Sequence, residues 1–273
     1  MLVALLLAAA LSPFDQVVAA ERAFAAASLE KGLHEAFLSY LAMNAIVLDP
    51  LPVPGRAAHE GKPPSKGSLS WGPAWVAVSS AGDLALSTGP WEFRPEEGAP
   101  EKPRTGYFFS VWRLQPDGAW KVAVDAGVSS PMPFAIPQSV ENGLAGVSAK
   151  VAKPADAANA RIGVTTAERA LTVAAKTGLG AAVAEKTDPL VRVYREGQAV
   201  AIGAVAVRAL LGSDKRQVTC TPESTVAAAS GDLGYAYGIC AGEGGDSSTK
   251  YGFVRVWRKQ ADGTWKIMVD VTP

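Results

Sequence analysis

Residues 105–125 read TGYFFSVWRLQPDGAWKVAVD, and residues 250–270 read KYGFVRVWRKQADGTWKIMVD. The two stretches share a Val-Trp-Arg triplet, an Asp-Gly pair, a Trp-Lys pair and a final Val-Asp, each pair of matches lying 145 residues apart. Each stretch is typical of two strands joined by a turn, because apolar and aromatic runs flank an Asp-Gly pair. We therefore interpret the chain as an internal duplication.

The duplication extends upstream, and the order of the matches is preserved. Ala-Glu-Arg-Ala at 20–23 recurs at 167–170, Gly-Leu at 32–33 recurs at 178–179, and Asp-Leu at 83–84 recurs at 232–233. In each copy, two stretches with helical apolar spacing precede a short strand, a small helical segment and three or four further strands. This order predicts an α+β fold in which the helices cover one face of an antiparallel sheet. In copy two, Thr165 and Glu168 have the spacing of a capping box, which predicts the start of a helix there.

The length of the chain indicates how many domains it has, and its charge indicates which classes of partner it can bind. A chain of 273 residues exceeds the usual size of one core, so two domains are expected. We predict a signal peptide at 1–11, copy one at 12–127, a Pro- and Ala-rich linker at 128–163 and copy two at 164–273. The 26 basic residues equal the 26 acidic residues, and this balance argues against binding to nucleic acid or to an anionic membrane surface.

The start of the chain predicts export. The apolar run from Leu2 to Leu11 is far shorter than the ~20 residues of a membrane-spanning helix, so no transmembrane segment is expected. Its length suits the core of a secretory signal, although the charged head that usually precedes such a core is missing. Ser12 and Pro13 then predict a helix start. We expect a secreted or periplasmic protein; the alternative is an N-terminal helix buried in the core.

Several of these motifs together resemble a known family. Ala-Glu-Arg-Ala-Phe at 20–24, Lys-Gly-Leu at 31–33, the Gly-Asp-Leu hairpins and Val-Trp-Arg before Asp-Gly and Trp-Lys resemble the nuclear transport factor 2-like superfamily. Within it, the nearest branch is an uncharacterised secreted one beside the SnoaL-like polyketide cyclases and ketosteroid isomerases. The resemblance covers about 14–126 and 164–271. It implies two tandem cone-like domains, each a strongly curved sheet wrapped on helices around an apolar pocket, and sheet-to-sheet pairing within the chain or in a homodimer.

The resemblance also suggests an enzymatic alternative. The segment from Asn44 to Pro50 is similar to the ketosteroid isomerase segment whose Asp before Pro is the general base, which implies Asp49 as a general acid–base. The sequence departs from that family at the strand acid, where Ser110 and Arg255 stand instead, and Asp49 also suits a simple turn. The function expected first is therefore an exported, non-enzymatic protein that binds a small apolar ligand or a protein partner. An isomerase, dehydratase or cyclase that uses Asp49 is the alternative, and a purely structural role is the third.

Two strands supply the candidate ligand-pocket residues. Alternate residues of a strand share a face, so each Val-Trp-Arg strand presents one aromatic stripe with a polar residue in its middle. An ordinary core stripe explains this pattern equally well. The difference between the copies at the polar position predicts different ligands, with an anionic head group at Arg255. The candidates are Phe108, Ser110 and Trp112 in copy one and Phe253, Arg255 and Trp257 in copy two.

No motif in the chain predicts a metal or a cofactor. The two histidines, His34 and His59, share no ligand-like spacing with a carboxylate or a cysteine. No phosphate-binding loop, dinucleotide fingerprint or nucleophile elbow is present. We expect neither a metal site nor a bound cofactor.

The cysteines predict a disulfide. Cys220 and Cys240 occupy the positions at which copy one has Trp71 and Trp91, on strands that flank the Gly-Asp-Leu hairpin. A pair exchanged together is expected at positions that touch, and two adjacent thiols of an exported protein usually oxidise. We therefore predict a Cys220–Cys240 disulfide and contact between Trp71 and Trp91; two separate buried thiols are the alternative.

The turn before the last strand predicts a register. Pro-Asp-Gly at 116–118 suits a type I turn with glycine in the left-handed region and a bulge, which pairs Trp112 with Val122. This register is expected to put Asp125 and Asp270 on the face opposite Trp112 and Trp257. A two-residue turn would instead pair Asp270 with Arg255.

Overall fold

The structure, a computed structural model, describes residues 11–145, 156–212, 214–242 and 250–272. The predicted signal peptide lies outside these ranges except for Leu11. Copy one contains α1 (Pro13–Lys31), α2 (Leu33–Tyr40), β1 (Leu41–Leu48), β2 (Pro52–Pro54), β3 (Gly67–Trp71), β4 (Trp75–Val78), β5 (Leu84–Pro95), β6 (Arg104–Leu114) and β7 (Trp120–Ser129). After β8 (Glu141–Asn142), copy two contains α3 (Asp156–Ala175), α4 (Leu179–Glu185), β9 (Thr187–Arg195), β10 (Ala201–Ile202), α5 (Gly203–Leu211), β11 (Val218–Ala227), β12 (Leu233–Gly242), β13 (Tyr251–Lys259) and β14 (Trp265–Thr272).

The strands form two separate mixed sheets with the same core order. Sheet one runs β2-β1-β7-β6-β5-β4-β8, with β3 also paired to β5, and sheet two runs β10-β9-β14-β13-β12-β11. In both sheets the first long strand joins the last one in parallel, β1 with β7 and β9 with β14. The helix-then-sheet order repeats in both halves, and the predicted α+β class is confirmed.

The helix starts are set by local hydrogen bonds, one as predicted and one not. The Ser12 hydroxyl accepts the Asp15 backbone N–H at 3.2 Å, and Pro13 is the first helical residue, as expected. The capping box at Thr165 is wrong, because α3 begins at Asp156. The Thr165 hydroxyl instead donates to the Arg161 carbonyl one turn earlier, at 2.9 Å. No helix among the described residues is long and apolar enough to span a membrane.

Part of the segment 128–163, expected to be a linker, forms regular structure. Strand β7 continues to Ser129, β8 pairs in parallel with β4, and α3 starts at Asp156. Residues 146–155 lie outside the described ranges. Residues 130–140 between β7 and β8 form neither helix nor strand, so the described part of this segment is regular only at β7, β8 and α3.

Apolar residues gather in three cores. The first packs α1 and α2 against sheet one and includes Phe24 and Trp112. The second packs α3, α4 and α5 against sheet two and includes Leu171 and Trp257. The third lies between the two sheets. The molecule therefore has four layers: helices, sheet one, sheet two and helices.

The last hairpin of each copy shows where the predicted register fails. Trp112 does pair with Val122, as expected, and Gly118 has a φ of +82°. A second irregularity follows at once, because Val111 pairs with Val124 and leaves Ala123 as an extra residue. The extra residue Ala123 shifts the alternation of side chains along β7 by one, so that Asp125 lies on the same face of the sheet as Trp112. The prediction that Asp125 lies on the opposite face is therefore wrong. Asp125 pairs with Ser110, and in copy two Asp270 pairs with Arg255.

The two copies touch through a reciprocal pair of hydrogen bonds at equivalent hairpins. The Asp232 carboxylate accepts the Ser80 backbone N–H at 2.9 Å. The Asp83 carboxylate accepts the Ala229 backbone N–H at 2.8 Å. Asp83 and Asp232 are equivalent residues of the duplication, as are Ser80 and Ala229. This is the self-complementary contact of a two-fold dimer, here formed inside one chain.

The predicted disulfide is confirmed. Cys220 and Cys240 face each other on β11 and β12 and are bonded. Trp71 and Trp91 are directly opposed on β3 and β5 in copy one. The equivalent cross-strand positions are thus linked by a disulfide in copy two and occupied by two facing tryptophans in copy one.

We predict that replacing both cysteines, C220A with C240A, lowers the free energy of unfolding by about 3 kcal/mol, because the bond closes a loop of 20 residues. Urea unfolding of the oxidised protein and the double variant measures this difference. A reductant should lower the stability of the parent protein and leave the variant unchanged. Alkylation of two thiols in the native protein without reductant would contradict the prediction.

We also predict that D83A and D232A each lower the free energy of unfolding by about 1–2 kcal/mol, since each leaves a backbone N–H of the other copy without its charged acceptor. The loss should be larger for D232A, because Asp232 also accepts the Ser80 hydroxyl of the other copy at 2.6 Å. Urea unfolding of both variants measures the two losses, and D117A, at an exposed turn away from the other copy, serves as the control. A loss for only one of the two aspartates would show that the contact is not reciprocal in solution.

Candidate functional site

A buried acid of the first helix lies inside copy one. Glu21 is on the buried face of α1 with Val17 and Phe24, and its side chain is fully buried. Its two carboxylate oxygens accept the indole N–H groups of Trp71 and Trp112, both at 2.8 Å. Burial raises the pKa of Glu21 even though these two donors oppose the change.

A second acid, Asp125, lies in the same interior. The Ser110 hydroxyl donates to Asp125 Oδ2 at 2.8 Å. Burial raises the pKa of Asp125 to about 7, the Ser110 hydrogen bond opposes this, and the charge of Glu21 adds to it. Neither acid forms an ion pair with the described residues. Copy one thus keeps one fully buried carboxyl group, Glu21, and one half-buried carboxyl group, Asp125, both with neutral partners.

Aromatic rings fill the rest of this interior. The ring of Phe24 contacts those of Phe37 and Tyr40, with centroids 4.9 Å apart in both cases, and that of Trp71 at 4.8 Å. Trp112 lies 6.2 Å from the same ring. The space expected to hold a ligand in copy one is therefore occupied by the protein's own side chains.

Copy two has the same two acids but adds two arginines. Glu168 and Asp270 stand where copy one has Glu21 and Asp125, and Arg255 stands in place of Ser110. Arg255 binds Glu168 at 2.7 Å and Asp270 at 2.6 Å, and Asp270 also binds Arg195. Burial alone would raise the pKa of Asp270, but the two guanidinium groups together lower it to about 2. The interior of copy two is thus a charge-balanced network.

An open cavity adjoins this network. Its volume is about 390 Å³, and it lies between α5, the start of β13 and the ends of β9 and β14. We call it the α5–β13 cavity. Arg216 lies over the ring of Tyr251 at 5.0 Å and is paired with Asp214. The lining residues are Arg195, Glu196, Gln198, Leu210, Leu211, Asp214, Arg216, Tyr251 and Thr272.

Two residues that line the cavity each contain a buried polar atom without a hydrogen-bond partner among the described residues. The Nε of Arg195 and the hydroxyl of Tyr251 are both buried and make no hydrogen bond. The other nitrogens of Arg195 bind the carbonyls of Tyr194 and Asp270 and the Asp270 carboxylate. Burial also raises the pKa of the Tyr251 hydroxyl, so it keeps its proton and remains a donor. Two hydrogen-bond donors without partners, on Arg195 and Tyr251, therefore lie next to the cavity.

The six predicted pocket residues share faces as expected. Phe108 and Trp112 lie in the helix-side core of copy one, and Phe253 and Trp257 lie in that of copy two. All six are buried, and none lines the α5–β13 cavity. Arg255 is fully engaged by Glu168 and Asp270, so the expectation that it receives an anionic head group does not fit its contacts. Ser110 is engaged by Asp125 in the same way.

Asp49 and the two histidines lie elsewhere in copy one. Asp49 is exposed in the turn between β1 and β2, where its backbone N–H donates to the Leu51 carbonyl. The histidines meet, with 2.9 Å between the Nδ1 atoms of His34 and His59, and Phe37 stacks on His59. Burial lowers the pKa of His59 to about 4, and the charge of His34 adds to this. Among the described residues, no group of three or more potential ligands surrounds a metal position.

The sequence interpretation missed the buried acids and the cavity arginines. Glu21 and Glu168 were noticed only as part of a repeated motif. Their recurrence on an apolar helix face, with Val17 and Phe24 at helical spacing in copy one, was the signal that could have found them. Arg195 and Tyr251 carried no such signal, because they come from strands distant in sequence.

We predict that D125N removes a pH dependence of stability. The folded pKa of Asp125 is raised from 3.8 to about 7, so the folded state holds a proton that the unfolded state has lost between these values. The free energy of unfolding therefore falls as pH rises through this window, by roughly 1.4 kcal/mol per pKa unit. Urea unfolding between pH 4 and pH 8 measures the slope, and the variant should lose the contribution of Asp125 while the shifted pKa values of Glu21 and His59 keep theirs. S110A should raise the pKa of Asp125 further and so extend this pH window upward, because it removes a hydrogen-bond donor to the ionised carboxylate. An unchanged slope in D125N would contradict the assignment.

Comparisons with known proteins gave matches among solved structures. No family model matches the chain, and no curated protein matches it. An NTF-2 like protein of unknown function from Shewanella oneidensis shares 17% identity, with a TM-score of 0.35 over 42% of this chain and 98% of that one. The Δ5-3-ketosteroid isomerase of a Mycobacterium species shares 18%, with 0.33 over 43% and 92%. A putative scytalone dehydratase from Novosphingobium aromaticivorans shares 13%, with 0.36 over 47% and 91%.

These identities are low, and the likeness to these structures is one of fold alone. The repeated helix-then-sheet unit described above is the architecture that the sequence resemblance implied.

Proposed function

We propose that the protein is exported and binds a small molecule with an apolar body and a carboxylate end in the α5–β13 cavity of copy two. A volume of about 390 Å³ lies within the range of small-molecule sites. The binding role is assigned to copy two because aromatic rings pack in the interior of copy one.

The observation that carries the proposal is the pair of buried donors without a protein partner. A buried donor left unpaired costs about 1–3 kcal/mol, and native proteins rarely keep one without a reason. Here the Arg195 Nε and the Tyr251 hydroxyl are buried atoms of two residues that line one cavity. Acceptor oxygens of a ligand that reaches these atoms would supply the missing partners.

The unpaired donors and the apolar walls of the cavity favour a carboxylate on an apolar body. Hydrogen bonds from a guanidinium to an anionic oxygen are stronger than those to a neutral one. The acids of the lining are already engaged, Asp214 by Arg216 and Glu196 by the Ser129 backbone N–H. Leu210 and Leu211 on α5 supply apolar surface for the rest of the ligand.

Export is supported by two features that are independent of each other. The apolar run at Leu2–Leu11 has the length of a signal-peptide core. The Cys220–Cys240 disulfide is typical of proteins that fold in an oxidising compartment. The proposal therefore places the cavity in a secreted or periplasmic protein.

The ligand class can be tested with matched probes on the full chain. Isothermal titration with hexanoate, octanoate and benzoate, each against the primary alcohol of the same skeleton, should show binding of the acids and much weaker binding of the alcohols. Y251F should weaken binding of the acids about tenfold, because it removes one donor and keeps the ring. Its stability should not fall, since the hydroxyl has no protein partner.

The matched control is Y40F, which removes a tyrosine hydroxyl from copy one and should leave binding unchanged. Equal affinity for acids and alcohols would show that the cavity does not recognise a carboxylate. Acid binding that Y251F does not alter would place the site elsewhere.

A further inference from the structure

The outer edge of sheet one is covered by the chain itself. Strand β8 lies parallel to β4, and its backbone N–H groups bind the β4 edge: Glu141 donates to the Ala74 carbonyl at 2.9 Å, and Gly143 donates to the Val76 carbonyl at 2.8 Å. Two carbonyls of the edge are thereby used.

The residues before β8 continue this contact along helix α1. Arg22 donates to the Gln138 carbonyl at 3.3 Å. Ile136 packs against the backbone at Gly72, where a Cβ atom would lie 2.5 Å from its Cγ2. Residues 136–143, which we call the edge segment, thus fill the groove between α1 and the β4 edge.

The duplication identifies the equivalent groove in copy two. The β4–β5 pair Trp75 with Thr88 corresponds to the β11–β12 pair Ser224 with Tyr237, 149 residues later for both members. The carbonyls of Ala74 and Val76 therefore correspond to those of Glu223 and Thr225. On the helix side, the repeated Ala-Glu-Arg-Ala motif makes Arg169 the equivalent of Arg22.

In copy two this groove is open. Strand β11 ends the sheet order among the described residues, and a cavity of about 620 Å³ lies between it and α3. Arg169, Val173 and the run from Thr219 to Thr225 line this cavity, which we call the edge groove. Arg169 is exposed and has no hydrogen bond or ion pair with any described residue, and Val173 is 69% exposed.

We propose that the edge groove binds an extended peptide of a partner protein, which adds to β11 as a parallel strand. The carbonyls of Glu223 and Thr225 accept N–H groups from alternate residues of the peptide, and Arg169 donates to a carbonyl three residues before the first of them. This is strand addition to a free sheet edge, with copy one as the internal example. The inference does not depend on the cavity proposed for the small ligand.

One difference between the copies restricts the peptide. Thr221 stands where copy one has Gly72, so its side chain occupies the space that Ile136 uses in copy one. The bound peptide must carry a residue smaller than isoleucine at that position. Val173 on α3 offers an exposed apolar contact to another of its side chains.

The probe is a fluorescently labelled peptide of residues 134–143 with Ile136→Ala, FAAPQSVENG, titrated with the full chain and followed by anisotropy. N-methylation at the positions of Glu141 and Gly143 removes the two bonded N–H groups and should weaken binding about tenfold or more. N-methylation at Asn142, whose N–H points away from the edge, should leave affinity within about twofold, since alternate residues of a strand point to opposite sides.

Variants of the protein locate the binding. R169A should weaken binding of the peptide several-fold. R208A, which removes an exposed arginine on α5, should leave the affinity for the peptide unchanged. Absence of saturable binding, equal effects of all three N-methyl groups, or equal binding of a scrambled peptide would overturn the proposal. Self-association of the chain that the peptide fails to disrupt would assign the edge to a second copy and would overturn it as well.

Discussion

The architecture depends on one constraint: the central strands of both sheets are apolar on both faces and must be covered on both. In β6, Phe108 and Trp112 pack towards the helices, while Phe109 and Val111 pack towards the other sheet. Helices of the same copy cover the first face. Only the other copy covers the second, so neither sheet has its full core without its duplicate. The reciprocal carboxylate contacts of Asp83 and Asp232 lie at the rim of this shared core and fix its orientation.

The equivalent acids inside the two copies have different electrostatic partners. Both keep an acid on the first helix, a tryptophan that donates to it and an acid on the last strand. In copy one the acids have neutral partners and raised pKa values. In copy two, Arg255 and Arg195 balance them, and a cavity opens beside Arg195. Burying an ion pair gains little stability over apolar packing, and Arg195, unlike Arg255, also lines the cavity.

The outer edges of the two sheets also differ between the copies. In copy one, the segment after β7 returns along the outer strand and uses its carbonyls. In copy two, no described strand pairs with the outer side of β11. The disulfide shows a related exchange, since Cys220 and Cys240 replace a tryptophan pair at one cross-strand position.

The sequence by itself determined the duplication, the α+β order, the helix start at Ser12, the turn at Gly118 and the disulfide. These follow from local spacing or from comparison of one copy with the other, and both are visible along the chain. Only the tertiary structure decided which face Asp125 and Asp270 occupy, because a single extra residue in the strand reverses every later side chain. It alone placed Arg195 and Tyr251 at one cavity, since these residues lie on strands far apart in sequence. It also showed that no described strand pairs with the outer side of β11. Periodicity reports which residues are buried, whereas the partners of buried charges depend on how distant strands come together.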